Sequence, residues 1–141
     1  MVIFGATGDL TKRKLLPALY NLAKDKFLPD SFAVVGVGRQ ELTREEFRER
    51  ILNDLKEFAG DEPQTELIDW ISERIYYTGG DFDDDKKLFS DIKELLAEVC
   101  EKHSVAENYF FYMAIPPNLF SNVAKKIVKN GMGREENGNW R

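Results

Sequence analysis

The chain of 141 residues contains one cysteine, one histidine and only five prolines. With Cys100 alone, no internal disulfide can form and a metal cluster built on cysteines is excluded; no metal site is expected. His103 falls in a charged segment that ends a helical pattern, which predicts a solvated cap rather than a catalytic group. No apolar run is long enough to cross a bilayer, and no charged lead with an apolar signal core precedes the first predicted strand. The expectation is a cytoplasmic protein without a membrane partner. Basic residues are in deficit, 20 against 25 acidic ones, and the net charge of -5 argues against nucleic acid as a partner. Internal repeats, low-complexity tracts and linkers rich in serine or proline are also absent.

What remains is an alternation of short apolar runs with amphipathic stretches. Val2-Ile3-Phe4 reads as a buried strand, Ser31 to Val37 as a second, Ile75 to Thr78 as a third and Tyr109 to Ile115 as a fourth, ended by Pro116-Pro117. A helix with Leu15, Leu19, Leu22 and Ala23 on its buried side is predicted after the first strand, kinked or restarted at Pro17. Thr43-Arg44-Glu45-Glu46 is a capping box, and its helix reaches about Phe58 with Phe47, Ile51, Leu52 and Leu55 inward. Gly60 to Pro63 breaks it, and Glu66 to Glu73 forms a short second helix. Asp83-Asp84-Asp85 is expected to cap a helix carrying Leu88 to Val99 and ending near His103. Asn118 is expected to cap the last one, with Leu119, Val123, Ile127 and Val128 inward and Asn130-Gly131 as its stop.

Strand, helix, strand in this order predicts an α/β fold: a doubly wound parallel sheet, Rossmann-like, with helices on both faces. The loops at 5–14, 38–40, 79–82 and 114–117 then share one edge, where ligands of such sheets sit. The length suits one domain and is short for a complete dinucleotide-dependent enzyme with its own substrate domain. The chain opens on an apolar strand and stops where a fifth strand is due, so pieces upstream and downstream are expected to be missing.

The first of those loops is chemically the most informative. Gly5-Ala6-Thr7-Gly8-Asp9-Leu10 joins a strand to a helix, and a helix start combines unpaired N–H groups with the positive end of the macrodipole. This is a phosphate seat. Gly5 permits a tight turn with positive φ, Gly8 lets a pyrophosphate approach the backbone, and Lys12, Arg13 and Lys14 add charge. In folds that select NAD, the second strand commonly ends in a carboxylate that takes the ribose hydroxyls. Here Gly38 stands there, followed by Arg39, whose guanidinium suits a 2′-phosphate. The predicted coenzyme is NADP.

Taken together, Gly5 to Leu15 with Pro17-Ala18-Leu19-Tyr20 behind it, Val37-Gly38-Arg39 before Leu42-Thr43, and Phe111 to Pro117 make the chain resemble the N-terminal coenzyme-binding domain of the glucose-6-phosphate dehydrogenase family. The resemblance runs from end to end. It implies that Gly5, Ala6, Thr7, Gly8, Asp9 and Leu10 hold the pyrophosphate and that Arg39 with Gln40 holds the 2′-phosphate. It also implies that Asp81 and Phe82 sit by the adenosine half, that Ala114 to Pro117, Pro116 among them, line the nicotinamide side, and that Lys14 lies near the sugar phosphate and the nicotinamide. Two departures stand out: Thr7 replaces a serine, and Phe120 replaces a tyrosine that contacts coenzyme in some members.

The resemblance further implies an intact enzyme that oxidises glucose 6-phosphate to the lactone with hydride transfer to NADP, in the pentose phosphate pathway. The family's Glu-Lys-Pro segment and its histidine base with a supporting aspartate are not among these residues. The 141 residues are therefore expected to bind coenzyme without catalysis, and any homo-oligomer is expected to form through the missing domain. Two other NADP-binding readings compete. A reductase of the short-chain or extended class would need a Tyr-x-x-x-Lys pair on a later helix, where none occurs. A non-enzymatic NADP sensor would be a lone coenzyme domain. A doubly wound domain that binds no nucleotide is the third alternative.

Overall fold

A computed structural model describes residues 1–58, 64–82 and 87–135. The predicted breaker at Gly60 to Pro63 and the predicted cap at Asp83 to Asp85 lie outside the described residues. Four strands, β1 (Val2–Phe4), β2 (Val34–Gly38), β3 (Ile75–Gly79) and β4 (Phe111–Met113), form one sheet in the order β3-β2-β1-β4. Every pairing is parallel, with Ile3 opposite Gly36 on one side and Tyr112 on the other, and Gly36 opposite Tyr77. The chain therefore winds outward from β1 to β3, then crosses back to lay β4 on the other side of β1. A topological switch point falls between β1 and β4.

The pleat sorts side chains onto two faces, and each face has its own core. Ile3, Val34, Ile75 and Tyr77 pack against α1 (Leu16–Lys24), α2 (Arg44–Phe58) and α3 (Thr65–Glu73), with Leu16, Tyr20, Phe47, Ile51 and Leu55 facing them. Val2, Phe4, Val35, Val37 and Tyr76 pack against α4 (Lys87–His103) and α5 (Phe120–Lys129) through Phe89, Ile92, Leu96, Val123 and Ile127. Phe4 stacks on Phe89 at 6.2 Å and meets Phe82 edge-on at 6.0 Å. These positions are the apolar ones of each period, so burial of both sheet faces follows from the residue pattern.

Several sequence expectations are corrected in detail. Leu22 is 41% exposed, and Leu16 and Tyr20 hold the inner face of α1 instead. The reason is the widened π-helical turn Thr11–Leu15 that precedes α1, closed by Leu16 N–H onto the Thr11 carbonyl. Pro17 has no N–H for the Arg13 carbonyl and its ring would press on it; the wider turn avoids both and rotates the helix face. The second strand begins only at Val34 and extends to Gly38, and the fourth keeps only Phe111–Met113 of its apolar run. Asn118 does not cap the last helix: a 3-10 turn, Pro117–Leu119, intervenes and α5 begins at Phe120 without a side-chain cap. Val128 is 59% exposed, outside the inner stripe.

His103 is half-buried, with Nε2 2.7 Å from the Tyr76 hydroxyl, so it ties α4 to β3 rather than standing in solvent. Burial and the nearby Arg74, Lys102 and Arg44 charges hold its pKa below the usual histidine value.

Candidate functional site

The loops after β1, β2 and β4 and the turn after β3 meet at the carboxyl edge of the sheet, around a groove of about 380 Å³. Gly5, Thr7, Gly8, Gly38, Arg39, Gln40, Phe82, Ala114 and Pro116 all line it. Gly5 adopts φ +85°, and a Cβ there would lie 2.1 Å from the Ala114 carbonyl oxygen. Only glycine allows both the turn and the closeness of β1 and β4 loops that shapes the groove floor.

The turn is held from within. Gly5 and Ala6 donate N–H bonds to the Val37 carbonyl at 2.8 and 3.1 Å, and Gly8 donates to the Gly5 carbonyl at 2.9 Å. Thr11, buried, adds its hydroxyl to the same Gly5 carbonyl at 3.0 Å. No acceptor among the described residues takes the N–H groups of Thr7, Asp9 or Leu10, which open the helical segment. These are the orphan donors of a helix start, at its positive end.

The other sequence-predicted residues divide. Ala6 is buried and turns its methyl group into the core beneath the loop. Asp9 and Leu10 are exposed on the first helical turn, and neither lines the groove. Lys14 and Asp81 are also exposed and outside the lining, as is Phe120, which is 41% exposed at the start of α5. The basic charge expected from Lys12 and Arg13 is not directed at the turn. Lys12 reaches across to α2, 3.1 Å from Asp54 and 3.2 Å from Glu57, and both contacts raise its pKa. Arg13 Nε lies 2.6 Å from Asp9. The Lys12 pairs brace the first helix against α2, and the Arg13 pair lies within its own first turns.

Arg39 is different: it is exposed, lines the groove and has no partner among the described residues. Gly38 before it is enclosed, since a Cβ would stand 2.6 Å from the Tyr77 hydroxyl and 3.2 Å from Thr7 Oγ1. The Tyr77 hydroxyl donates to the Gln40 carbonyl at 2.6 Å, and its ring stacks on Phe47 at 4.4 Å. A side chain at position 38, carboxylate or otherwise, would dislodge that arrangement. Two further residues hold the rim and were not singled out in the sequence. Arg50 of α2 donates to the Thr7 carbonyl at 2.9 Å and to Gln40 Oε1 at 2.8 Å. Lys126 of α5, itself buried, donates to the Phe82 carbonyl. Both occupy helical positions that read as ordinary surface cations, so only the tertiary contacts distinguish them.

A parallel sheet that reverses its winding beside a glycine turn, with orphan amides and a guanidinium unpaired among the described residues on the same groove, defines a doubly wound α/β domain whose groove has the chemistry to seat an anion. The comparisons with known proteins narrow this. Residues 2–141 match the family model described as "Glucose-6-phosphate dehydrogenase, NAD binding domain", and the chain belongs to that family. It is 34% identical over 140 residues to "Glucose-6-phosphate 1-dehydrogenase 2" of Mycobacterium bovis, covering 99% of this chain and 27% of that one. It is 35% identical over 132 residues to the glucose-6-phosphate 1-dehydrogenase of Leuconostoc mesenteroides, covering 94% and 26%.

Among solved structures, a glucose-6-phosphate dehydrogenase in complex with its substrate glucose-6-phosphate superposes with a TM-score of 0.79 at 28% identity. It covers 98% of this chain and 28% of that one. The crystal structure of the enzyme from Mycobacterium avium gives 0.78 at 26% identity, covering 93% and 26%. The chain thus spans about a quarter of the length of the curated relatives it matches. No helix among the described residues is long and apolar enough to cross a membrane.

Proposed function

We propose that residues 1–141 are the NADP-binding domain of a glucose-6-phosphate 1-dehydrogenase. The observation that carries this reading is the groove itself: the glycine turn, its orphan amides and Arg39, unpaired among the described residues, line one cleft, while Gly38 leaves no room for an NAD-selecting carboxylate. The residues fit the coenzyme. The Thr7, Asp9 and Leu10 amides would hold the pyrophosphate over Gly5, Ala6 and Gly8, and Arg39 with Gln40 would hold the 2′-phosphate. Phe82 at the rim, with Asp81 beside it in the chain, would serve the adenosine half, and Ala114 and Pro116 the nicotinamide half. Lys14, outside the lining, would reach toward the sugar phosphate from the first helical turns. When bound, the coenzyme supplies the hydride acceptor for C1 of glucose 6-phosphate. This chain binds and orients that acceptor.

The general base that takes the C1 hydroxyl proton is provided from outside these residues. His103 ends α4, which runs back against the strands, and so lies at the edge opposite the groove. The whole protein acts in the cytoplasm at the entry of the pentose phosphate pathway, and any homo-oligomer forms outside this domain.

Titration of the full-length protein with NADP and NAD tests the assignment. A charge-assisted hydrogen bond contributes about 1.5–3 kcal/mol, so Arg39→Ala is expected to lower the NADP preference by about one to two powers of ten. An unchanged affinity ratio would refute the role of Arg39. Failure of the wild-type protein to reduce NADP in the presence of glucose 6-phosphate would refute the activity.

A further inference from the structure

Between the turn after β1 and the turn after β2 lies one cation that the sequence pattern hides. Arg50 stands on the second turn of α2, in a run where Glu46, Arg48 and Asp54 read as a solvated helix face. The two carboxylates one turn away from it are both engaged elsewhere. Glu46 closes the capping box with Thr43, at 2.7 Å from the Thr43 amide, and Asp54 pairs with Lys12. Arg50 instead donates to two neutral oxygens, the Thr7 carbonyl and Gln40 Oε1, one on each loop.

We infer that Arg50 is a positioning residue for coenzyme selectivity, acting by fixing the Gln40 carboxamide so that its NH₂ group faces the 2′-phosphate. This rests on the proposed NADP reading of the groove. The chemistry is directional: a guanidinium has five donors and no acceptor, so it admits only the oxygen of the carboxamide on its side. The amide nitrogen is thereby turned away, toward the rim where Gln40 lines the groove beside Arg39. The second bond, to Thr7, ties the phosphate turn to the Arg39-Gln40 turn at a fixed spacing. NAD lacks the phosphate that the oriented donor would meet, so the Gln40 effect falls on NADP alone, whereas the Thr7 tie serves both coenzymes.

The test is a double-mutant cycle on the full-length protein, reading dissociation constants for NADP and NAD in wild type, Arg50→Leu, Gln40→Ala and the double variant. Arg50→Leu is expected to lower the NADP-to-NAD preference about tenfold, and most of that change is expected to vanish when Gln40 is already alanine. A loss shared equally by both coenzymes, or one of the same size with and without Gln40, would overturn the inference, because a purely structural role predicts either. Arg50→Lys keeps the charge and the stem, which guards against a variant that does not fold. One ammonium cannot span both oxygens in the same geometry, so an intermediate preference is expected. Full wild-type preference in Arg50→Lys would overturn the two-point clamp. A wild-type protein without NADP preference would sink the coenzyme reading itself. A wild-type preference left intact by Arg50→Leu would sink only the role of Arg50.

Discussion

Gly5 and Gly131 both have positive φ, +85° and +79°, yet they are not equivalent. At Gly131, which follows the end of α5, nothing stands within 4 Å of an added Cβ. Gly131→Ala is expected to cost only the left-handed penalty, about 1 kcal/mol. At Gly5 the same methyl group would meet the Ala114 carbonyl carbon and oxygen at 2.8 and 2.1 Å, and backbone cannot step aside as a flexible side chain can. Gly5→Ala is expected to cost about 3 kcal/mol or more and to weaken coenzyme binding as well. Urea unfolding of the two variants side by side checks the order, and equal losses would contradict it. The positive φ at Gly5 was legible from its place after an apolar strand. Its contact with Ala114 was not, since 109 positions separate the two in the chain.

The same limit governs whole elements. The four strands and five α-helices among the described residues were legible because the strands are short continuous apolar runs and the helices repeat apolar residues with a period near 3.6, and the capping box at Thr43 formed as its spacing requires: the Thr43 hydroxyl accepts from Glu46 N–H at 3.2 Å. What escaped was anything decided between elements. Lys12 was assigned to the phosphate turn because it is adjacent in sequence, yet Asp54 and Glu57 on α2 offer it opposite charge at hydrogen-bond distance. Arg50 was invisible for the converse reason, being surrounded in sequence by carboxylates that turn out to have other partners.

The attachment of α4 to β3 through His103 and Tyr76 has a pH signature. The folded state lowers the histidine pKa from its ordinary value of about 6.5, so the unfolded chain takes up the proton more readily. Stability from this group is therefore complete above about pH 6.5 and declines as the pH falls below that value toward the folded pKa. Thermal melts from pH 5 to 8 should show this decline in the wild type and a flatter profile in His103→Asn over the same window. Identical profiles would remove His103 as the cause.

At the scale of the molecule, the strand order places β1 and β2 inside and β3 and β4 at the margins. The interior strands are packed on both faces, with Val2, Phe4, Val35 and Val37 no more than 1% exposed, whereas the β4 residues are all half-buried. Slow amide exchange should therefore concentrate in β1 and β2, with β4 releasing its protection earlier. Hydrogen-exchange mass spectrometry of the full-length protein reads this, and an additional neighbour along β4 would appear as protection there equal to β1. The free margin of β3 is covered differently: Arg44 folds along it, donating to the Ile75 and Glu73 carbonyls at 3.1 and 3.0 Å. A charged side chain bonded to a strand margin discourages a foreign strand from adding there.

The near-contact of Gly5 with Ala114 sets a hard stop between the two loops that form the groove floor. Neither bank can drift toward the other, because less than the width of a methyl group separates them. A push on the Ala114 loop toward β1 must therefore carry the glycine turn along with it. Compression at that point passes from backbone to backbone, without any relay of intervening side chains.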